Sequence, residues 1–160
     1  MKFQSINELD KFDFQDTVMH SYTNREGAIY FELEAVRVLP TNSQNSNFVE
    51  SYAGDLTMRL VNADIQKGVK EGYKYYDAND VLMEDVPDTP LSQLEIGEIL
   101  KNIDGAYMWS LVPVEADQND TGRFLYLMGI DKDEDTTYWL QIAFDQAILE
   151  WDRYMNRVEK

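Results

Sequence analysis

His20 is the only histidine in the chain, and there is no cysteine. A multi-histidine metal site, a thiolate nucleophile, a disulfide and a cysteine-ligated zinc are therefore excluded, and one imidazole remains as a general base. His20 shares a strand face with Asp16, but four residues of extended chain span about 13 Å, too far for a dyad. Ser21 and Ser5 are nearby hydroxyls, yet neither sits in a nucleophile elbow or a glycine-rich oxyanion turn. The eight glycines are scattered, with no G-x-G-x-x-G and no G-x-x-x-x-G-K-[ST], so the standard phosphate cradles are missing. No catalytic residue and no cofactor is expected.

The acidic loops invite a calcium reading. Asp131, Asp133 and Asp135 open like a calcium loop, but Thr136 takes the sixth position, where glycine is needed. Ile142 takes the twelfth, where a bidentate glutamate is needed. Asp117, Asn119 and Thr121 are the better candidate ligands because Gly122 falls in the sixth position, although Met128 occupies the twelfth. The same residue types also serve hairpin turns by geometry alone. Paired carboxylates are abundant: Glu84 with Asp85, and Glu32 with Glu34. Adjacency in sequence does not place two carboxylates across a cleft, as glycoside hydrolysis requires.

Aromatic residues supply the other functional signal. Tyr73, Tyr75 and Tyr76 cluster where core periodicity is weak, and Trp109, Trp139 and Trp151 lie near alternating stretches. Tyrosines and tryptophans packing on cross-strand neighbours account for most such residues. Exposed beside acids, they form a recognition surface for a protein or a sugar. Tyr73, Tyr75, Tyr76, Trp109, Glu32 and Glu34 are the candidate binding residues.

The elements that must carry these residues are mostly strands. Phe12 to Tyr22 alternates with period two, a turn follows at Asn24 to Gly27, and Ala28 to Leu39 alternates most regularly, with Glu32 and Glu34 on its wet face. PTNSQNSN, from Pro40 to Asn47, reads as a polar loop. Asp55 to Ile65 resumes alternation, and a short strand is expected at Tyr73 to Tyr76, with turns at Asp77 to Asp80 and before Pro87. Ser92 and Glu95 form a capping box, Ile96, Ile99, Leu100 and Ile103 make one apolar stripe, and Gly105 supplies the stop. Ala106 to Val114, Arg123 to Ile130, Thr137 to Phe144 and Ala147 to Asp152 read as further strands. Ile148, Trp151, Met155 and Val158 equally fit a helical stripe, so strand and helix both stay open for the C-terminus. Phe124 to Met128 is apolar on both faces, as in a central strand or a homodimer interface. The expected fold is mainly β (α+β): one domain over 1–160, a curved antiparallel sheet of six to eight strands, open or folded into a sandwich, with one helix at 92–104 packed on it.

Thirty acids against fourteen bases give a net charge of −16. Such a surface repels phosphate backbones and anionic lipid, so neither nucleic acid nor membrane is expected as a partner, and a basic protein is. The N-terminal MKFQSINELDKFDF lacks the unbroken apolar run of a signal peptide, and no segment approaches the roughly 20 apolar residues of a membrane span. The expected location is cytoplasmic.

Two stretches carry a resemblance. FDFQDTV, from Phe12 to Val18, followed by AIYFELE, resembles the Phe-His-Asp-Ser opening motif of small bacterial proteins that include immunity-protein families of polymorphic toxin systems. Gln15 stands at the histidine position, Asp16 at the aspartate and Thr17 at the serine. YWLQIAFDQAILEWDRY, from Tyr138 to Tyr154, is similar to their C-terminal strand pair ending in Glu-Trp-Asp. The two stretches cover about a third of the chain. The resemblance implies a structural role for Asp16 and an immunity-type protein whose acidic face occludes a basic toxin domain. The alternative is a small-molecule or carbohydrate binder, calcium-assisted, using Trp109, Tyr75 or Tyr76.

Overall fold

Period-two segments such as AIYFELE can bury one face only if they pair, and in the computed structural model, which describes residues 2–114, 122–133 and 135–157, nearly all of them do. In chain order the first strands are β1 (Phe3–Ile6), β2 (Phe12–Asp13), β3 (Thr17–Arg25), β4 (Ala28–Glu34) and β5 (Arg37–Val38). They are followed by β6 (Ser51–Ala53), β7 (Leu56–Val61), β8 (Asp64–Lys70), β9 (Tyr73–Tyr76), β10 (Leu82–Val86) and β11 (Thr89–Leu91). After helix α1 (Gln93–Lys101) come β12 (Tyr107–Pro113), β13 (Phe124–Asp133), β14 (Thr136–Phe144), β15 (Gln146–Trp151) and β16 (Tyr154–Arg157).

Ten of these strands form one open antiparallel sheet in the order β1-β15-β7-β4-β3-β12-β13-β14-β8-β11. A small four-stranded sheet, β16-β6-β5-β2, and a separate β9–β10 hairpin complete the described β structure. The count of ten corrects the expected six to eight. A residue in the left-handed region accounts for part of the difference: Asn62 (φ 51°) divides 55–65 into β7 and β8, both in the main sheet, while Ala35 (φ 65°) divides 28–39 into β4 of the main sheet and β5 of the small one. The edge strands β1 and β11, at four and three residues, are too short to show a period.

The sheet bends at one corner. Ile142 pairs with Ile65 and Ala143 with Asp64, and beyond the bend Gln146 pairs with Val61 and Ala147 with Leu60. The register is the same on both sides of the corner, with a bulge just before it at Gln141 and Ile142, so β7–β8 and β14–β15 are one kinked ribbon whose halves lie at different places in the sheet. Arg123 clamps the corner. Its guanidinium donates to Asp145 and to Asp64, each at 3.0 Å, and to the carbonyls of Asn62 and Ala143. Asn62 adds a side-chain bond to Asp145 at 2.8 Å, and these two donors hold the Asp145 carboxyl below its ordinary range.

Helix α1 starts as its capping box dictates: Ser92 Oγ accepts from the Glu95 amide, and Glu95 Oε1 accepts from the Ser92 amide. Ile96, Leu100 and Ile103 are buried. Ile96 sits over Gly68, where a Cβ would lie 2.9 Å from the Leu140 side chain and 3.1 Å from that of Ile96, so the bare glycine lets the helix lie close to the strand without those side chains shifting. The helix ends at Lys101, short of the expected 104, and Gly105 follows in the left-handed region (φ 89°). Among the described residues, no helix is long and apolar enough to cross a membrane.

As far as Arg157, where the described residues end, the C-terminal segment is strand, not helix, because β15 hydrogen-bonds β1 on one side and β7 on the other and β16 pairs with β6. Two ladders outweigh a local helical stripe. The apolar run Phe124 to Met128 lies between β12 and β14, with Met128 buried.

The polar loop at 40–47 is tied down rather than free. Asn45 donates to the carbonyls of Val38 and Val49. Glu8 accepts from Ser5 Oγ and Ser43 Oγ, each at 2.6 Å, and from the Ser43 amide at 3.0 Å. Burial pushes the Glu8 carboxyl up, but these hydrogen bonds outweigh it and the net shift is below the ordinary 4.5. A lowered folded value stabilises the fold above pH 4.5 and loses that contribution as pH falls through the folded value. Glu8→Gln keeps the shape but cannot accept from both Ser43 groups and Ser5. Thermal melts at pH 7 are expected to show a loss of about 1 kcal/mol, roughly 2–4 °C. The gap should narrow as the pH is lowered below 4.5; a gap independent of pH would contradict the ionised role.

Candidate functional site

The ladder between β8 and β14 ends where the Glu71 amide donates to the Thr137 carbonyl at 2.9 Å. Gly72 comes next, and a Cβ there would lie 2.0 Å from the Val86 carbonyl oxygen and 2.5 Å from the backbone of Pro87. The two legs of the β9–β10 hairpin are therefore closed backbone to backbone at their root, and the Gly72 amide donates to Asp88 at 2.7 Å. At the far end Asp77 caps the turn by accepting from the amides of Asn79 and Val81. The hairpin is fixed at both ends yet, among the described residues, pairs with no third strand.

Its side chains stay outside the core. Tyr73 is 54% exposed, Tyr75 60%, Tyr76 50% and Met83 60%, with Val81 and Leu82 also exposed. Alternation puts Tyr73 and Tyr75 on one face with their partners Val86 and Glu84, and Tyr76 on the other with Lys74. The Tyr73 hydroxyl donates to Glu84 at 3.1 Å, and that bond is the main reason its phenol sits above its ordinary value. Tyr73 is thus a protonated donor at neutral pH, not a nucleophile. From Glu71 to Asp88 the segment holds six carboxylates and one lysine.

A cleft of about 600 Å³ separates this hairpin from the start of β14. Glu71, Gly72, Tyr73 and Tyr75 line one side, and Asp135 and Thr137 the other. Trp139 donates its indole N–H to Glu71 at 3.2 Å, and Trp109 meets Trp139 edge to face at 4.8 Å. Trp109 lies against the sheet over Gly129, where a Cβ would come within 2.9 Å of its ring. The structure thus joins Trp109 to Tyr73 and Tyr75 through Trp139 and Glu71.

The other sequence candidates lie elsewhere. Glu32 accepts from Thr57 Oγ1 at 2.9 Å on the outer face of β4. Glu34 faces His20 at 3.3 Å and borders a separate hollow of about 400 Å³ with Tyr52, Asp55, Arg153 and Met155, where the arginine breaks the uniform negative sign. His20 has Asp104 at 3.6 Å from its other nitrogen, so the imidazole lies between two carboxylates and no serine or threonine hydroxyl bonds it among the described residues. Asp16 occupies a turn in the left-handed region (φ 64°), while the carboxylate accepting a backbone amide there is that of Asp13, from Gln15.

Asp117, Asn119 and Thr121 lie outside the described residues. In the other acidic loop Asp133 accepts from the Asp135 amide and Asp131 from Thr137 Oγ1, so both are used by the turn. Among the described residues no three histidine, aspartate or glutamate side chains converge in a metal-binding arrangement. Sequence reading missed Glu71, Glu84, Asp135 and Trp139 as members of the site. The available signal was Gly72 between Glu71 and Tyr73, a glycine marking a close backbone approach. Compared with protein-family models, curated proteins and solved structures, the chain matches none.

Proposed function

We propose that this protein is a non-catalytic binding protein that takes a basic protein partner on its β9–β10 hairpin. One observation carries the reading: a hairpin pinned at both ends displays six large apolar or aromatic side chains to solvent among six carboxylates. Two-stranded hairpins are marginal alone, and apolar side chains held in water cost stability unless a partner covers them. Tyrosine beside carboxylate suits a surface of lysine and arginine, where cation–π contact and charge pairing act together. The net charge of −16 steers the encounter. In its sharpest form the protein is immunity-type and neutralises a basic toxin domain by steric and electrostatic occlusion, a form supported by the resemblance of its two end stretches.

Affinity capture from native lysate at low and moderate salt tests this, with the wild type and Tyr75→Ser/Tyr76→Ser as parallel baits. A stoichiometric basic protein that weakens as salt rises and is lost from the double variant is the expected result. Empty eluates, or equal capture by both baits, would count against the hairpin as the binding element.

A second reading, a carbohydrate site, draws on Trp109. Its ring lies on the sheet and borders a hollow of about 310 Å³ with Asp13, Gln15 and Ser110, an aromatic platform beside polar groups. Saccharide titrations followed by tryptophan fluorescence, with Trp109→Ala as control, separate the two readings.

A further inference from the structure

We infer that the cleft between the β9–β10 hairpin and the start of β14 seats an arginine-bearing segment of the partner, with the guanidinium between the Tyr73 and Tyr75 rings and the carboxylates of Glu71, Glu84 and Asp135. The inference rests on the hairpin reading above and names what enters the site. Size comes first. At about 600 Å³ the cleft lies within the roughly 300–1,000 Å³ of sites that hold small organic ligands, so it takes a short peptide stretch rather than a bare ion.

Sign comes second. Among the described residues no lysine or arginine lines the cleft, and both of its walls carry a carboxylate: Glu71 on the hairpin side and Asp135 opposite. Glu84 shares the hairpin face of Tyr73 and Tyr75. A neutral or anionic segment would leave these charges uncompensated as water is displaced.

Shape and pre-organisation select arginine over lysine. Tyr73 O–H engages one oxygen of Glu84, and Trp139 N–H engages one oxygen of Glu71. Each carboxylate is thereby oriented while its second oxygen is left for a ligand among the described residues. A planar guanidinium stacks on a tyrosine ring and donates from its edge at once, which an ammonium does not. Gly72 holds the geometry, since its backbone contact with Val86 and Pro87 sets where the hairpin leaves the sheet. Binding then requires no reshaping of the hairpin root.

The test uses the intact chain, isotope-labelled for amide NMR, and the peptide Ac-Gly-Arg-Gly-Arg-Gly-amide at low salt. The control peptide replaces each arginine with citrulline, which keeps the shape and removes the charge. Shifts are expected at residues 71–75 and 135–137, with the citrulline peptide at least about tenfold weaker. Tyr75→Ala should weaken the arginine peptide by about three- to thirtyfold. Asp135→Asn lies off the hairpin and should weaken it severalfold without disturbing the hairpin amides. Equal binding of the two peptides, or shifts spread over other acidic faces, would overturn the cleft assignment, as would no binding. The broader reading is judged separately by partner capture: a partner lost from Tyr75→Ser/Tyr76→Ser but retained by Asp135→Asn leaves the hairpin standing and removes only the cleft.

Discussion

Trp151→Ala is expected to cost about 3–5 kcal/mol, a large part of a total stability of roughly 5–15 kcal/mol. Trp151 is fully buried at the end of β15, in register with Phe3 of β1 and Leu56 of β7. Its ring stacks on Phe3 at 5.6 Å and meets Phe12 and Tyr154 edge to face, each at 5.9 Å. Phe3 belongs to the main sheet, whereas Phe12 and Tyr154 belong to the small one, so a single indole joins the two. Alanine removes the aromatic contacts and leaves a cavity that rigid strands on both sides cannot collapse. Urea titration followed by circular dichroism should show the midpoint falling at constant slope. A loss under about 1 kcal/mol would mean that the two sheets are held together by something else.

The second large effect is on binding rather than on stability. Gly72→Ala places a methyl group 2.0 Å from the Val86 carbonyl oxygen. The obstacle is backbone, not a flexible side chain, so the root of the hairpin must open. None of the residues from Tyr73 to Val86 belongs to the buried core cluster, so the main sheet should survive. Hydrogen exchange is expected to show lost protection confined to β9 and β10, with a melting temperature only a few degrees lower. Affinity for the captured partner should fall at least about thirtyfold, the scale of a lost hot spot. Unchanged affinity with an opened hairpin would remove the hairpin from the interface.

Both expectations turn on contacts that local sequence does not announce. The capping box at Ser92 and Glu95 and the stripe of Ile96, Leu100 and Ile103 were legible because every partner lies within one or two turns of helix. The alternation of β4 and the short strand at Tyr73 to Tyr76 with its turn at Asp77 were legible for the same reason. The kinked ribbon was not, because its register joins residues about 80 apart in sequence and a bend can replace a turn at no cost to the ladder. Asn45 lay in a stretch read only as a polar loop, yet it donates to the Val38 and Val49 carbonyls, and Glu8 accepts from Ser43 in that same loop, contacts made only in the finished fold. The candidate site was half legible. Tyr73, Tyr75, Tyr76 and Trp109 are exposed, Tyr73 and Tyr75 at the cleft, while Glu32 and Glu34 belong to another face.

Composition determined the net charge and the lack of cysteine, and residue order the dominance of strands, since each depends on residue type or local period and on nothing distant. Tertiary structure decided the use of each aromatic. Trp109, Trp139 and Trp151 sit in similar alternating stretches, but Trp151 is sealed between two sheets, Trp139 is tied to Glu71 and Trp109 lies on the open surface. Burial of a strand residue depends on which strands flank it and which face the sheet turns inward. Those are non-local pairings, and a period of two says only that some face is buried, not which aromatic the partner strand will cover.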